Sequence, residues 1–428
     1  MPLSPYLFDF AKPKQEAVTF EGMPCSFPGR VWKSKRGPYW NLLCAEAAAW
    51  PAGGTGKPDV AAGWAKYTTT HPDLLNWKLD PTPFAQTPDG KPAGVYPCSG
   101  PYFHKLPGAP VDGPTHVMNS GCDSDYFVLG TYDSKTEVMT VTSNEHTDVP
   151  SLGIWSQKMA YHWGAAGREV PDTDPDTDSG RLFTFAWIAS HLPGNISPST
   201  MSLIRELKYD AAVGMTSFPV EEYATKLRNV TVIDEKSSTL ASGANRTLAL
   251  PHGAGGMLDL LVSFKVNSSS MGGFGVAVGA PPGTTACAAL IVTVQSISSA
   301  DAAGTRNVTI VFSPDGSTVV RLTPTNQTYI AAKTVPVLAG ESLDLRILID
   351  RPVVEAFVNG GRTSYVTADV AYSDANSSVH MFAGASSVAI ESVEAHTVGC
   401  GWSTTLPLPK PRADMDTVAR LTSQSQGR

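Results

Sequence analysis

Between Glu46 and Glu137 the chain contains no glutamate, although glutamate is among the commonest residues of soluble proteins. A general acid of that type therefore cannot lie on the strands in between. Charge is thin throughout: 17% of the 428 residues are charged, the formal net charge is -7, and no basic run exceeds KSKR at 33–36. An acidic chain without a basic stripe repels phosphate, which excludes a nucleic-acid partner. No segment approaches about 18 consecutive apolar residues, so no membrane span is predicted. The six cysteines (Cys25, Cys44, Cys98, Cys122, Cys287 and Cys400) form no CxxC pair, which argues against zinc and redox motifs; no metal or cofactor is expected. Cys25 and Cys44 suit a bridge between neighbouring strands, with buried free thiols as the alternative. The start, MPLSPYLFDFAKPKQ, has no basic n-region and no long apolar core, so either a signal was removed or the N-terminus lies upstream.

What is abundant is turn chemistry. The 38 Gly and 34 Pro belong to a chain of many short strands, predicted to be all-β. Strand candidates in the first half are rich in aromatic and β-branched residues: RVWKS, YWNLLCA, GWAKYTT, YFHKL, DYFVLGTYD, EVMTVT, IWSQKMAYH and RLFTFAWIAS. Groups of about four strands every 40 to 50 residues suit the blades of a β-propeller, with a sandwich as the alternative on pattern alone. The charged, amphipathic SFPVEEYATKLRN at 217–229 reads as a junction. Beyond it, alternating Val, Ile, Leu and Ser strands with few aromatics suit a two-sheet β-sandwich. The predicted organisation is a propeller over residues 1–230, a sandwich over 231–406 and a tail over 407–428.

Seven of the twelve asparagines are in glycosylation sequons: Asn195, Asn229, Asn245, Asn267, Asn307, Asn326 and Asn376. Chance would give about two in a chain of this Ser and Thr content. The excess predicts a glycoprotein of the secretory route, extracellular or in the vacuolar lumen.

The most specific run is LRILIDRPVVEAFVNGGR at 345–362. Alternating strands flank a turn at Arg351–Pro352, and Asn359, Gly360 and Gly361 make a second turn. This run resembles the C-terminal sandwich of glycoside hydrolase family 32, the invertases and fructan hydrolases. THPDLLNW (70–77), DYFVLGTYD (125–133), WSQKM (155–159), RLFTFAWI (181–188), RELKYD (205–210) and PVEE (219–222) follow the family's order, so the resemblance covers about residues 5 to 400.

The resemblance implies a five-bladed propeller with a funnel-shaped site, followed by the sandwich. It also implies a retaining mechanism, with an Asp nucleophile and a Glu acid/base about 5 Å apart and a third carboxylate, the Asp of an Arg-Asp-Pro motif, that stabilises the transition state. Residue by residue, these groups are absent. No Asn-Asp-Pro-Asn-Gly string occurs, and Asp9 has unsuitable surroundings. The Arg-Asp-Pro motif aligns with CSFPGRVW, placing Ser26 at the Arg and Phe27 at the Asp, and no aspartate lies between Asp9 and Asp59 to shift the alignment. The Trp-Glu-Cys acid/base motif aligns with AGVYPCSGPYF at 93–103: Tyr96 replaces Trp, Pro97 replaces Glu, Cys98 is kept and Gly100 replaces Asp.

Substitute acids are poor. Asp123 and Asp125 suit turn capping before a strand, and PDTDPDTDSG at 171–180 lacks the Gly and Glu of a calcium loop. Asp350 and Glu355 are expected to be structural or interfacial. Asp148, near the family's sugar-binding Asp, and Tyr96 and Trp187, able to stack on a sugar ring, are the candidate binding residues. The reading is a degenerate family member whose propeller lacks most of its first blade. It binds sucrose- or fructan-type carbohydrate without hydrolysing it, or assembles, because an incomplete propeller leaves sheet edges that a second copy or a partner protein would cover. The alternatives are a truncated active β-fructofuranosidase and a structural surface glycoprotein.

Overall fold

The computed structural model describes residues 18–21, 25, 27–45, 64–72, 74–91, 93, 99–110, 112–121, 125–143, 160–166, 180–189, 199–251, 254–266, 272–279, 290–313, 319–321, 328–330, 332–350, 353–367 and 378–399. β-Branched and aromatic residues alternating with polar ones make these segments strands. In the first sheet, β1 (Thr19–Glu21), β2 (Phe27–Lys33), β3 (Trp40–Ala45), β4 (Trp64–Thr69) and β5 (Asn76–Leu79) lie in the order β1-β5-β4-β3-β2. The second sheet repeats this plan with β6 (Ala85–Gln86), β7 (Ser99–Lys105), β8 (His116–Gly121), β9 (Asp125–Asp133) and β10 (Val138–Ser143), ordered β6-β10-β9-β8-β7. In both, four strands form an antiparallel meander and the strand that precedes it pairs in parallel with the last. The third sheet holds β11 (Ala160–Ala166), β12 (Leu182–Ala189), β13 (Ser199–Met201), β14 (Arg205–Asp210) and β15 (Gly214–Pro219).

The three sheets stack face to face, as blades do. Trp32 and Leu43 of the first sheet share one core with Phe84, Phe103, Met118 and Tyr132 of the second. Leu106, Val117 and Leu129 of the second share another with Leu182, Leu207 and Met215 of the third. Aromatic rings fill the first of these cores. Phe84 and Phe103 meet edge to face at 5.1 Å, and Phe103 also meets Tyr132 at 4.9 Å. Each such pair adds about 0.5–1.5 kcal/mol beyond its area.

After a single helical turn at Tyr223–Leu227, the chain enters β16 (Arg228–Leu240). The segment expected to be a junction holds the end of β15 at Ser217–Pro219, this helical turn and the start of β16 at Arg228. There follow β17 (Asn245–Leu248), β18 (Met257–Phe264), β19 (Phe274–Val278), β20 (Leu290–Ile297), β21 (Arg306–Ser313), the short pair β22 (Val319–Arg321) and β23 (Thr328–Ile330), and β24 (Ala332–Val337). The last strands are β25 (Leu343–Asp350), β26 (Val353–Val358), β27 (Thr363–Thr367), β28 (Val379–Phe382) and β29 (Val388–Val398). Two six-stranded sheets result, β16-β29-β18-β25-β26-β27 and β17-β28-β19-β20-β21-β24. They enclose one aliphatic core in which Leu258, Leu260, Phe264, Val276, Val292, Ile310 and Ile347 are fully buried. Each such side chain stabilises the fold by about 1.5–3 kcal/mol. The fold is all-β, as expected.

Candidate functional site

Strand direction locates the motif positions. The first meander strand of each sheet packs on its counterpart in the next, β2 on β7 and β7 on β11. Glu137, in the turn between β9 and β10, takes hydrogen bonds from Tyr39 Oη at 3.2 Å and Asn41 Nδ2 at 3.1 Å, beside the turn between β2 and β3. Lys105 is opposite His116 and His116 opposite Gly130, so β7 ends where β9 ends. The ends of β2 and β7 therefore lie together, and their beginnings, Phe27 and Ser99, lie together at the opposite end of the propeller. Topology thus brings the starts of β2 and β7, Phe27 and Ser99, to one rim.

Between these strands Arg30 is the organising residue. Its Nη1 donates to Phe103 O and, at 2.7 Å, to Nδ1 of His104. Arginine has no acceptor, so the His104 proton is held on Nε2 and the ring is neutral. Complete burial, the Arg30 charge and His116 push the His104 pKa well below its ordinary value. This pair ties the two strands together beneath the rim.

The remaining candidates are placed as follows. Phe27 and Trp187 are strand residues in β2 and β12, and Trp187 is opposite Tyr161 and Met201; their side chains lie outside the described residues. Ser26, Tyr96, Pro97, Cys98, Asp123 and Asp148 also lie outside them, as does the acidic loop before Gly180. Asp125 opens β9 opposite Gly121. Asn229, Asn245 and Asn307 are exposed, and Asn195, Asn267, Asn326 and Asn376 lie outside the described residues. Cys25 and Cys44 form a disulfide with Cα atoms 5.7 Å apart. No group of three or more His, Cys, Asp or Glu that could hold a metal occurs among the described residues, and no helix among them is long and apolar enough to cross a membrane.

The sequence pattern did not reveal the seam between the third sheet and the first sandwich sheet. Glu355, in β26, is buried and accepts from Arg205 Nη2 and, at 2.6 Å, from the Leu203 amide. Arg205 Nη1 donates to Ser364 Oγ at 2.7 Å, and its guanidinium lies 4.6 Å from the Phe357 ring. The Ser217 amide donates to Gly361 O at 3.0 Å. Glu355 is interfacial, as expected, and Arg205 is its partner 150 residues away.

Residues 222–397 match the family model described as Glycosyl hydrolases family 32 C terminal. The chain is 25% identical over 336 residues to a sucrose:sucrose 1-fructosyltransferase of Festuca arundinacea, covering 68% of this chain and 47% of that protein. It is 28% identical over 292 residues to beta-fructofuranosidase 1 of Zea mays, covering 60% and 40%. The chain thus spans about half the length of the curated relatives it matches. The crystal structure of fructan 1-exohydrolase IIa from Cichorium intybus superposes with a TM-score of 0.61 at 19% identity, covering 87% of this chain and 71% of that one. Exo-inulinase from Aspergillus awamori superposes with a TM-score of 0.54 at 16% identity, covering 87% and 67%. With the repeated blade-like sheets, the sandwich and the family-ordered motifs already described, these matches support glycoside hydrolase family 32, whose C-terminal domain model fits residues 222–397.

Proposed function

We propose that this invertase- and fructan-hydrolase-like protein binds fructoside-type carbohydrate without hydrolysing it. The observation that carries the reading is what the sequence holds at two aligned motif positions, Phe27 and Pro97. Phe27 opens β2, and Pro97 stands two residues before Ser99, which opens the neighbouring β7. Neither side chain is able to carry a negative charge or transfer a proton. Without an acid at position 97 the leaving alkoxide departs unprotonated, and general acid catalysis contributes about 10²–10⁴-fold. Without a nucleophile the covalent route is lost as well. Asp148, Tyr96 and Trp187 are the proposed sugar contacts. The proposed organisation is a propeller to about residue 230 and a sandwich beyond it.

Support for a secretory-route glycoprotein, extracellular or vacuolar, comes from the Cys25–Cys44 disulfide and the exposure of Asn229, Asn245 and Asn307. Disulfides persist in oxidising compartments, and a matched relative from a Rosa hybrid cultivar is named a vacuolar acid beta-fructofuranosidase. A second copy or a partner protein covering an open sheet edge of the propeller belongs to the same proposal.

The names of the relatives favour a second reading, an active β-fructofuranosidase. Two measurements on the purified chain separate the two. Titration calorimetry with sucrose, 1-kestose and inulin oligosaccharides is expected to show binding, and an assay of fructose release is expected to show none. Turnover of sucrose or inulin would replace the first reading with the second; no heat at millimolar ligand would remove the binding role.

A further inference from the structure

The propeller end opposite Phe27 and Ser99 carries an open cleft of about 540 Å³ that fructoside binding does not use. Its size is within the roughly 300–1,000 Å³ of small-molecule sites. The residues that line it include Tyr39, Thr68, Thr69, Thr70, His71 and Asn76, each with a polar group in its side chain. Asp80, which also lines it, belongs to a network of buried charges outside the lining. The Lys66 ammonium, fully buried, lies 3.0 Å from Asp80 Oδ2 and 3.9 Å from Glu137 Oε2. Burial alone would raise the Asp80 carboxyl, but the Thr82 amide and the Lys66 ammonium outweigh it and hold the group below its ordinary range. Asp80 is the only acid among the described lining residues, and its charge is already committed to Lys66.

Two cations stand exposed at the mouth. Arg36 reaches Thr136 O at 3.4 Å, and Lys78 makes a loose contact with exposed Glu21 at 3.8 Å, a pair of little energetic weight in water. The site is also built in advance of any ligand. Glu137 adopts the left-handed backbone conformation at φ 56, which costs a non-glycine residue about 1–2 kcal/mol. That conformation aims its carboxylate at Tyr39 and Asn41 and fixes the Tyr39 wall. Strain retained at a cleft is a mark of pre-organisation.

We propose that this cleft binds a monosaccharide bearing one anionic group, the carboxylate of a hexuronate or the phosphate of a hexose phosphate. The hydroxyls and Asn76 would take the sugar hydroxyls, and Arg36 and Lys78 the anionic group. The test is titration calorimetry of the purified chain with galacturonate, glucose 6-phosphate, glucose and inorganic phosphate, repeated on Arg36→Ala/Lys78→Ala. At least one anionic sugar is expected to bind, at least tenfold tighter than glucose and inorganic phosphate. The double variant, altered only at exposed side chains, should keep its unfolding midpoint and lose at least tenfold in affinity. The galacturonate and glucose 6-phosphate arms tell the two sources of charge apart. No heat with either, equal affinity for inorganic phosphate or glucose, or unchanged binding by the variant overturns the proposal. Sucrose binding measured on the same variant should not change, so the fate of the fructoside reading is decided separately.

Discussion

Glu137 is the first glutamate after the long gap, and its two unusual features are linked. Its backbone is left-handed and its carboxylate is buried against Tyr39, Asn41 and Lys66. Removing one partner of such a buried charge group costs about 3–5 kcal/mol. Glu137→Ala should therefore destabilise the chain by about 3 kcal/mol in urea unfolding. Glu137→Gly should cost about 1 kcal/mol less, because it loses the same bonds but relieves the φ strain; equal values would show that the strain is not real. His104 supplies a pH dependence. The unfolded chain protonates it near pH 6.5, the folded protein only well below that. Between those pH values the unfolded state holds the extra proton, so stability is present above about pH 6.5 and falls on acidification by up to about 1.4 kcal/mol per pH unit. Urea midpoints between pH 7.5 and pH 5 should fall less steeply in His104→Gln. Neither residue stood out in the sequence. Glu137 sits in an ordinary turn string, and the Arg30–His104 contact spans 74 positions, so nothing local records it.

At the scale of elements, the run at 345–362 was the most legible part of the chain. Alternation predicted β25 and β26, and Asn359, Gly360 and Gly361 predicted the turn, where all three have positive φ. What alternation could not say is why Glu355 sits on a buried strand face. The answer is Arg205 in β14, and the seam depends on both. Arg205→Met or Glu355→Leu alone should cost about 3–5 kcal/mol, since each leaves a buried charge without its partner. The double variant should cost several kcal/mol less than the sum, as a double-mutant cycle in urea reads directly. Additive losses would mean that the pair contributes only packing. Gly361 offers a control without charge. At φ 90, a Cβ there would lie 2.2 Å from Ser217 O, so Gly361→Ala must push the turn away from β15. Limited proteolysis between residues 217 and 228 should then accelerate relative to the native chain.

For the whole molecule, propeller-like sheets followed by a sandwich could be read from composition because the two halves bury different side chains, aromatic between the first two sheets and aliphatic in the sandwich. The placement of Phe27 and Ser99, the starts of β2 and β7, at one end of the propeller could not be read that way. It arises from the parallel placement of β2 and β7, which lie about seventy positions apart, and sequence order without the family resemblance would not have paired them. The sequons test the molecule as a whole, since occupancy requires both passage through the secretory route and access in the chain. Asn229 at the start of β16, Asn245 in β17 and Asn307 in β21 are all exposed, and all three lie on sandwich sheets. Expression through a eukaryotic secretory pathway should give a product that shifts on an electrophoretic gel after peptide N-glycosidase treatment. Peptide mapping should find the converted aspartates at 229, 245 and 307, and non-reducing maps should link Cys25 to Cys44. A product with no glycan and free thiols at both cysteines would remove the secretory assignment, because neither modification is then part of how this fold is made.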